Sequence, residues 1–163
     1  MITVITGPIN SGKTLKLLEL YHQSKNGDGF TCEKLFQEGK FKGYYLRRLS
    51  TNQIENFISL KQHQPNIRSN LAIGKFIFNP EVLKSAECTY EILISKKIEP
   101  LYLDEIGPLE LNHKGFHDIF KEILASNLDI FFTCRISLVD EIISKFNIKN
   151  YSWDYCHFNG SIS

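Results

Sequence analysis

Gly7-Pro8-Ile9-Asn10-Ser11-Gly12-Lys13-Thr14 follows the apolar run Ile2-Thr3-Val4-Ile5-Thr6 and precedes a leucine-rich segment. The octet satisfies G-x-x-x-x-G-K-[ST] in full, and an apolar strand before it with a striped helix after it is the setting in which that pattern holds phosphate. Gly7 and Gly12 permit backbone angles that a side chain forbids and let the loop wrap an anion closely. Loop amides and the positive end of the following helix then point at the phosphates. Lys13 is placed to reach the β- and γ-phosphates, and Thr14 to put its hydroxyl on Mg²⁺. All eight residues, Gly7, Pro8, Ile9, Asn10, Ser11, Gly12, Lys13 and Thr14, are therefore expected to form the nucleotide cradle.

Outward from the loop, residues 13–24 carry Leu15, Leu17, Leu18, Leu20 and Tyr21, an apolar stripe that predicts a helix. Asn26-Gly27-Asp28-Gly29 ends it. Residues 30–37 and 41–49 read as strands joined at Glu38-Gly39-Lys40, a hairpin turn. Residues 51–70 are polar and irregular, with a short helical piece expected at 53–60, and 71–78 reads as a strand or hairpin arm. Asn79-Pro80 is a helix start, with Asn79 as cap, for a helix reaching about Lys97. Strands at 101–104, 129–134 and 151–156 then alternate with helices at 116–126 and 137–146. Alternation of this kind predicts parallel strands with helices on both faces. The expectation is an α/β fold: three layers, a mainly parallel central sheet and an antiparallel hairpin insertion, in one domain over residues 1–163.

Leu101-Tyr102-Leu103-Asp104-Glu105 is an apolar strand ending in two carboxylates. Ligands of parallel sheets sit at the carboxyl ends of strands, the edge to which the first strand delivers the loop. Asp104 is thus a candidate holder of Mg²⁺ together with Thr14. Glu105 falls on the other side of the strand by alternation, but where the strand gives way to a loop it can turn toward the γ-phosphate and orient or deprotonate a water.

The run Asp104-Glu105-Ile106-Gly107-Pro108-Leu109-Glu110-Leu111 resembles the D-E-I-G-x-x-E-L signature of a small stand-alone nucleoside-triphosphatase family whose human member is described as cancer-related. Gly29-Phe30 before a hairpin and Gly43-Tyr44 in its second arm resemble further segments of that family, and the order of elements fits along nearly the whole chain. The resemblance implies an adenylate-kinase-like P-loop fold and hydrolysis of several nucleoside triphosphates with little base selectivity. It also implies Asp104 as the magnesium-site acid and Glu105 as the water activator. The chain departs from the family at Pro108, where a lysine is usual, and in the first hairpin arm, where Lys34 is the nearest basic residue to the usual arginine.

Phosphoryl transfer calls for a further cation on the γ-phosphate oxygens. Arg47, Arg48, Arg68 and Arg135 are the candidates, and Arg135 is favoured because it follows a strand that ends at the loop edge. Arg47 and Arg48 form a lid or cover a sheet edge with charge. The net charge of +1 argues against a strongly basic nucleic-acid binder, so nucleic acid is not an expected partner. Cys32, Cys88, Cys134 and Cys156 form no C-x-x-C pair and read as free thiols, and the five histidines show no metal spacing. The aromatics Phe116, Phe120, Phe131 and Phe132 read as core, and Trp153 as core or edge packing. No stretch approaches the length of a membrane helix and no signal segment precedes the first strand, so a cytoplasmic protein is expected. Nucleoside-triphosphate hydrolysis with Mg²⁺ is the leading expectation. The alternatives are a nucleoside or nucleotide kinase, with residues 30–78 holding the acceptor, and a nucleotide-binding switch with little turnover.

Overall fold

β1 (Ile2–Gly7) is buried on both faces and lies between β8 (Ile130–Arg135) and β9 (Tyr151–Tyr155), parallel to each. The computed structural model describes residues 1–63 and 72–157. β7 (Leu101–Ile106) pairs with β8 and with the start of β2 (Asp28–Gln37), also in parallel. β2 then runs on past that edge and folds back as β3 (Lys40–Arg48) through Glu38-Gly39, both at positive φ (51° and 71°), the geometry a two-residue hairpin turn requires. β4 (Ile54–Leu60), β6 (Phe76–Phe78) and β5 (Ala72–Ile73) continue the antiparallel part. The strand order is β5-β6-β4-β3-β2-β7-β8-β1-β9.

Two expectations are corrected here. The sheet is mixed rather than mainly parallel, because the hairpin segment joins it edge to edge through β2. The stretch expected to be irregular with a helical turn is instead the strand β4. Ile54 and Ile58 pair with Arg47 and Tyr44 of β3, Ile58 and Leu60 with Phe78 and Phe76 of β6, and pairing outweighs the weak local preference of a polar segment. Arg68 lies outside the described residues, as does the rest of 64–71.

The sheet's two faces carry different helices. Among the described residues α1 (Lys13–Ser24) alone packs on one, through Leu17 against Ile5 and Tyr102, with Leu18, Leu20 and Tyr21 partly buried beside it. α2 (Pro80–Ser95), α3 (Pro108–Leu111), α4 (His117–Ala125) and α5 (Val139–Lys145) belong to the other, where Phe120, Phe132, Tyr90 and Leu103 anchor the larger core. Each such side chain contributes on the order of 1.5–3 kcal/mol by leaving water. α2 starts as the sequence predicts, the Asn79 side chain accepting the Glu81 N–H at 3.0 Å. Phe116, Phe120 and Phe132 are core, and Phe131 stacks on Tyr102 at 5.4 Å. Trp153 is half exposed on the edge strand β9, T-shaped against Tyr151. Side chains alternate along β7, so Leu101 and Leu103 enter the larger core while Tyr102 and Asp104 face α1. That parity aims Asp104 at the helix following the glycine-rich loop. Among the described residues no helix is long and apolar enough to cross a membrane.

Candidate functional site

The glycine-rich loop leaves β1 and closes on itself before α1. Gly12 stands at φ 87°. At Gly7 a Cβ would overlap the Ser11 hydroxyl and the Cys156 carbonyl, so only glycine fits between the loop and the end of β9. Lys13 is buried, its ammonium donating to the Pro8 carbonyl at 2.8 Å and reaching the Gly7 carbonyl at 3.5 Å. The Ser11 hydroxyl is buried with no hydrogen-bond partner among the described residues, a polar atom turned inward in the loop.

Thr14 and Asp104, ninety residues apart, meet here. The Thr14 hydroxyl donates to Asp104 Oδ2 at 2.7 Å. The same oxygen accepts the Cys32 N–H at 3.0 Å, and Oδ1 accepts the Thr133 hydroxyl at 2.6 Å. Burial pushes the Asp104 carboxyl up to about 6, the charge of Glu105 adds to this, and the three donors oppose it. A buried carboxylate that holds only neutral donors still favours a cation.

Glu105 does not follow the strand's alternation. Between Leu103 and Ile106, β7 carries one residue more than its partner β8, a bulge, and Glu105 sits at φ 61° within it. Its N–H donates to Thr133 Oγ1 at 2.8 Å. Bulges of this kind re-aim a side chain, and here Glu105 is exposed and lines the same cavity as Lys13, Thr14 and Arg135. That cavity, about 740 Å³, spans from the loop to the inner face of the hairpin strands.

Of the candidate cations, Arg135 lies in register with Gly7 at the end of β8 and lines the cavity. It forms no ion pair among the described residues. Arg47 is bonded to Glu33 at 2.8 Å and Arg48 to Asp28 at 2.8 Å, both along the hairpin and outside the cavity lining. Lys34 reaches from β2 to the loop and donates to the Asn10 side chain at 2.8 Å. His113 and His117 touch at 3.1 Å, and no group of three or more His, Cys, Asp or Glu suited to a metal occurs among the described residues.

Sequence reasoning missed Thr133 and the Cys32 amide, which belong to no motif and are placed only by sheet order. Glu110 stands within the D-E-I-G-x-x-E-L run, where the sequence alone assigns it no role. That carboxylate is buried and accepts the N–H groups of Gly107 and Phe116, each at 2.9 Å, so it holds both ends of the segment after Glu105. Burial pushes it up to about 7. A glycine followed three residues later by glutamate at a helix start was the readable signal.

Comparison with known proteins extends the picture. A family model described as NTPase matches residues 2–156. A nucleoside-triphosphatase THEP1 of Thermotoga sp. (strain RQ2) is 26% identical over 92% of this chain and 82% of its own length. The crystal structure of THEP1 from the hyperthermophile Aquifex aeolicus superposes with a TM-score of 0.72 at 20% identity, covering 96% of this chain and 90% of that one. The solution structure of a human cancer-related nucleoside triphosphatase gives 0.66 at 19% identity, covering 94% and 87%.

Proposed function

The chain belongs to the NTPase family and is a nucleoside-triphosphate hydrolase, and we propose that it works with magnesium, on several bases, through Lys13, Thr14, Asp104, Glu105 and Arg135. The observation that carries this reading is the 2.7 Å contact between Thr14 Oγ1 and Asp104 Oδ2, which joins the loop to the acidic strand end. A hydroxyl and a carboxylate are hard oxygen donors, the kind magnesium takes while keeping several waters. Thr14 and Asp104 would hold it. When bound it supplies charge that offsets the β- and γ-phosphates.

The remaining steps belong to side chains of the chain itself. Loop amides at Asn10, Ser11 and Gly12 cradle the phosphates, and Lys13 exchanges the Pro8 carbonyl for phosphate oxygens. Glu105, turned into the cavity by the bulge, accepts a proton from water as the water oxygen bonds to the γ-phosphorus. The bond to the β–γ bridging oxygen breaks and the diphosphate leaves. Arg135 sits where negative charge spreads on the γ-phosphate oxygens. Phosphate release from ATP, GTP, CTP and UTP by the purified chain tests the reading. Turnover on all four, abolished by EDTA and restored by Mg²⁺, is expected, and turnover undiminished by EDTA would refute the magnesium role.

A further inference from the structure

Water is a small nucleophile and needs no apolar wall, yet the cavity has one on the nucleophile's side. Lys34, Tyr44, Ile58 and Phe78 stand side by side across β2, β3, β4 and β6, partner to partner in the register. Lys34 is the member bonded to the loop, so this face is turned toward the phosphates. Beyond it, Phe76 meets Tyr44 ring to ring at 6.0 Å. Pro108 and Leu109, three and four residues after Glu105, line the same space.

Two features put this wall beside the γ-phosphate rather than at the far end of a nucleotide. Its floor is the segment that carries Glu105. Tyr44 also lies in the field of the reacting groups: burial pushes its phenol up, Cys32 and Glu105 push the same way, and Arg135 acts in the opposite sense. The Tyr44 hydroxyl has no hydrogen-bond partner among the described residues, so it remains available to a ligand. Nucleophile and leaving group lie roughly in line through the γ-phosphorus, which sends the nucleotide's own base away from Glu105 and leaves the wall to another molecule. A flat ring suits it, since aromatic faces stack on rings and a volume of about 740 Å³ is ample for a small-molecule site.

We propose that the wall of Tyr44, Ile58, Phe76 and Leu109 is an acceptor subsite for a nucleoside, whose hydroxyl takes the γ-phosphoryl group in place of water. This rests on the placement of Glu105 and Arg135 given above. The acceptor oxygen bonds to the γ-phosphorus, the bond to the β–γ bridging oxygen breaks, and its electron pair leaves with the nucleoside diphosphate. The hydroxyl proton passes to Glu105 and then to solvent.

The test follows ³¹P signals of the full chain with Mg-ATP and, in turn, adenosine, guanosine, cytidine and thymidine. A new phosphomonoester resonance with at least one of them, growing while inorganic phosphate accumulates more slowly than without the nucleoside, is expected. Phe76→Ala should cut ester formation about tenfold or more, the worth of one stacking contact. Acceptor-free phosphate release in that variant should change less than about twofold, which also shows that the variant is folded. Phe76→Leu, which keeps apolar bulk without the ring, should show the same split. Inorganic phosphate as the sole product with all four nucleosides would overturn the subsite and leave hydrolysis standing. So would a nucleoside that merely competes with ATP, because the wall would then hold the nucleotide's own base.

Discussion

Thr133 Oγ1 donates to Asp104 Oδ1 at 2.6 Å and accepts the N–H of the next residue, Glu105, at 2.8 Å. One hydroxyl on the intervening strand thus fixes the carboxylate assigned to the metal and the bulge that turns the other carboxylate into the cavity. Thr133→Val keeps the volume and removes both bonds. We expect kcat to fall about tenfold or more, the scale for losing a hydrogen bond to a charged group. Thr133→Ser should recover most of the activity. Steady-state kinetics on the two variants checks this, and a Val variant with undiminished kcat would show that the bulge holds itself.

Glu105→Gln separates binding from chemistry. The amide cannot accept the water's proton, so turnover should drop about 10²-fold or more, while nucleotide affinity measured by calorimetry stays near that of the parent. Lys13→Ala should lose affinity itself, because no other cation is buried within the loop.

The arginines make a paired prediction. Arg135 lines the cavity without an ion-pair partner among the described residues, whereas Arg47 is spent on Glu33. Arg135→Ala should lower kcat by about 10³-fold, the lower end for a positioned arginine. Arg47→Ala should leave kcat within about twofold and show its effect in hairpin stability.

Glu110 gives stability a pH dependence of defined sign. The folded protein holds the Glu110 proton up to about 7, whereas an unfolded chain releases it near 4.5. Its contribution is whole below the lower value and is lost as pH rises through the window, by about 3 kcal/mol in all. The difference in unfolding free energy between the parent and Glu110→Gln, measured by urea titration, should therefore fall from pH 4.5 to 7 and then level off. A difference that is flat, or that rises with pH, would mean that the two backbone donors outweigh burial.

Much of the site could be read from the chain because it depends on local rules. The glycine pattern between Ile5 and Lys13 carries its own strand and helix, and α1 and the hairpin turn at Glu38-Gly39 fall where they are expected. The meeting of Thr14 with Asp104 followed from the rule that both strand ends face one edge. What escaped depends on neighbours distant in sequence. β4 is a strand because β3 and β6 flank it, and its own polar residues Glu55 and Asn56 hide that. Glu105 turns into the cavity because β7 gains a residue against β8, an event invisible without the register. Thr133 acquires its place only when β8 slides between β1 and β7.

The position of β1 has a consequence for how the protein is made. Its hydrogen-bonding neighbours are β8 and β9, more than a hundred residues downstream, and the Cys156 N–H reaches the Thr6 carbonyl at 2.7 Å just below the loop. During synthesis β1 leaves the ribosome more than a hundred residues before either of the strands it pairs with. The nucleotide cradle that follows β1 can take shape only once β8 has emerged, and a nascent chain halted before residue 130 should bind no nucleotide.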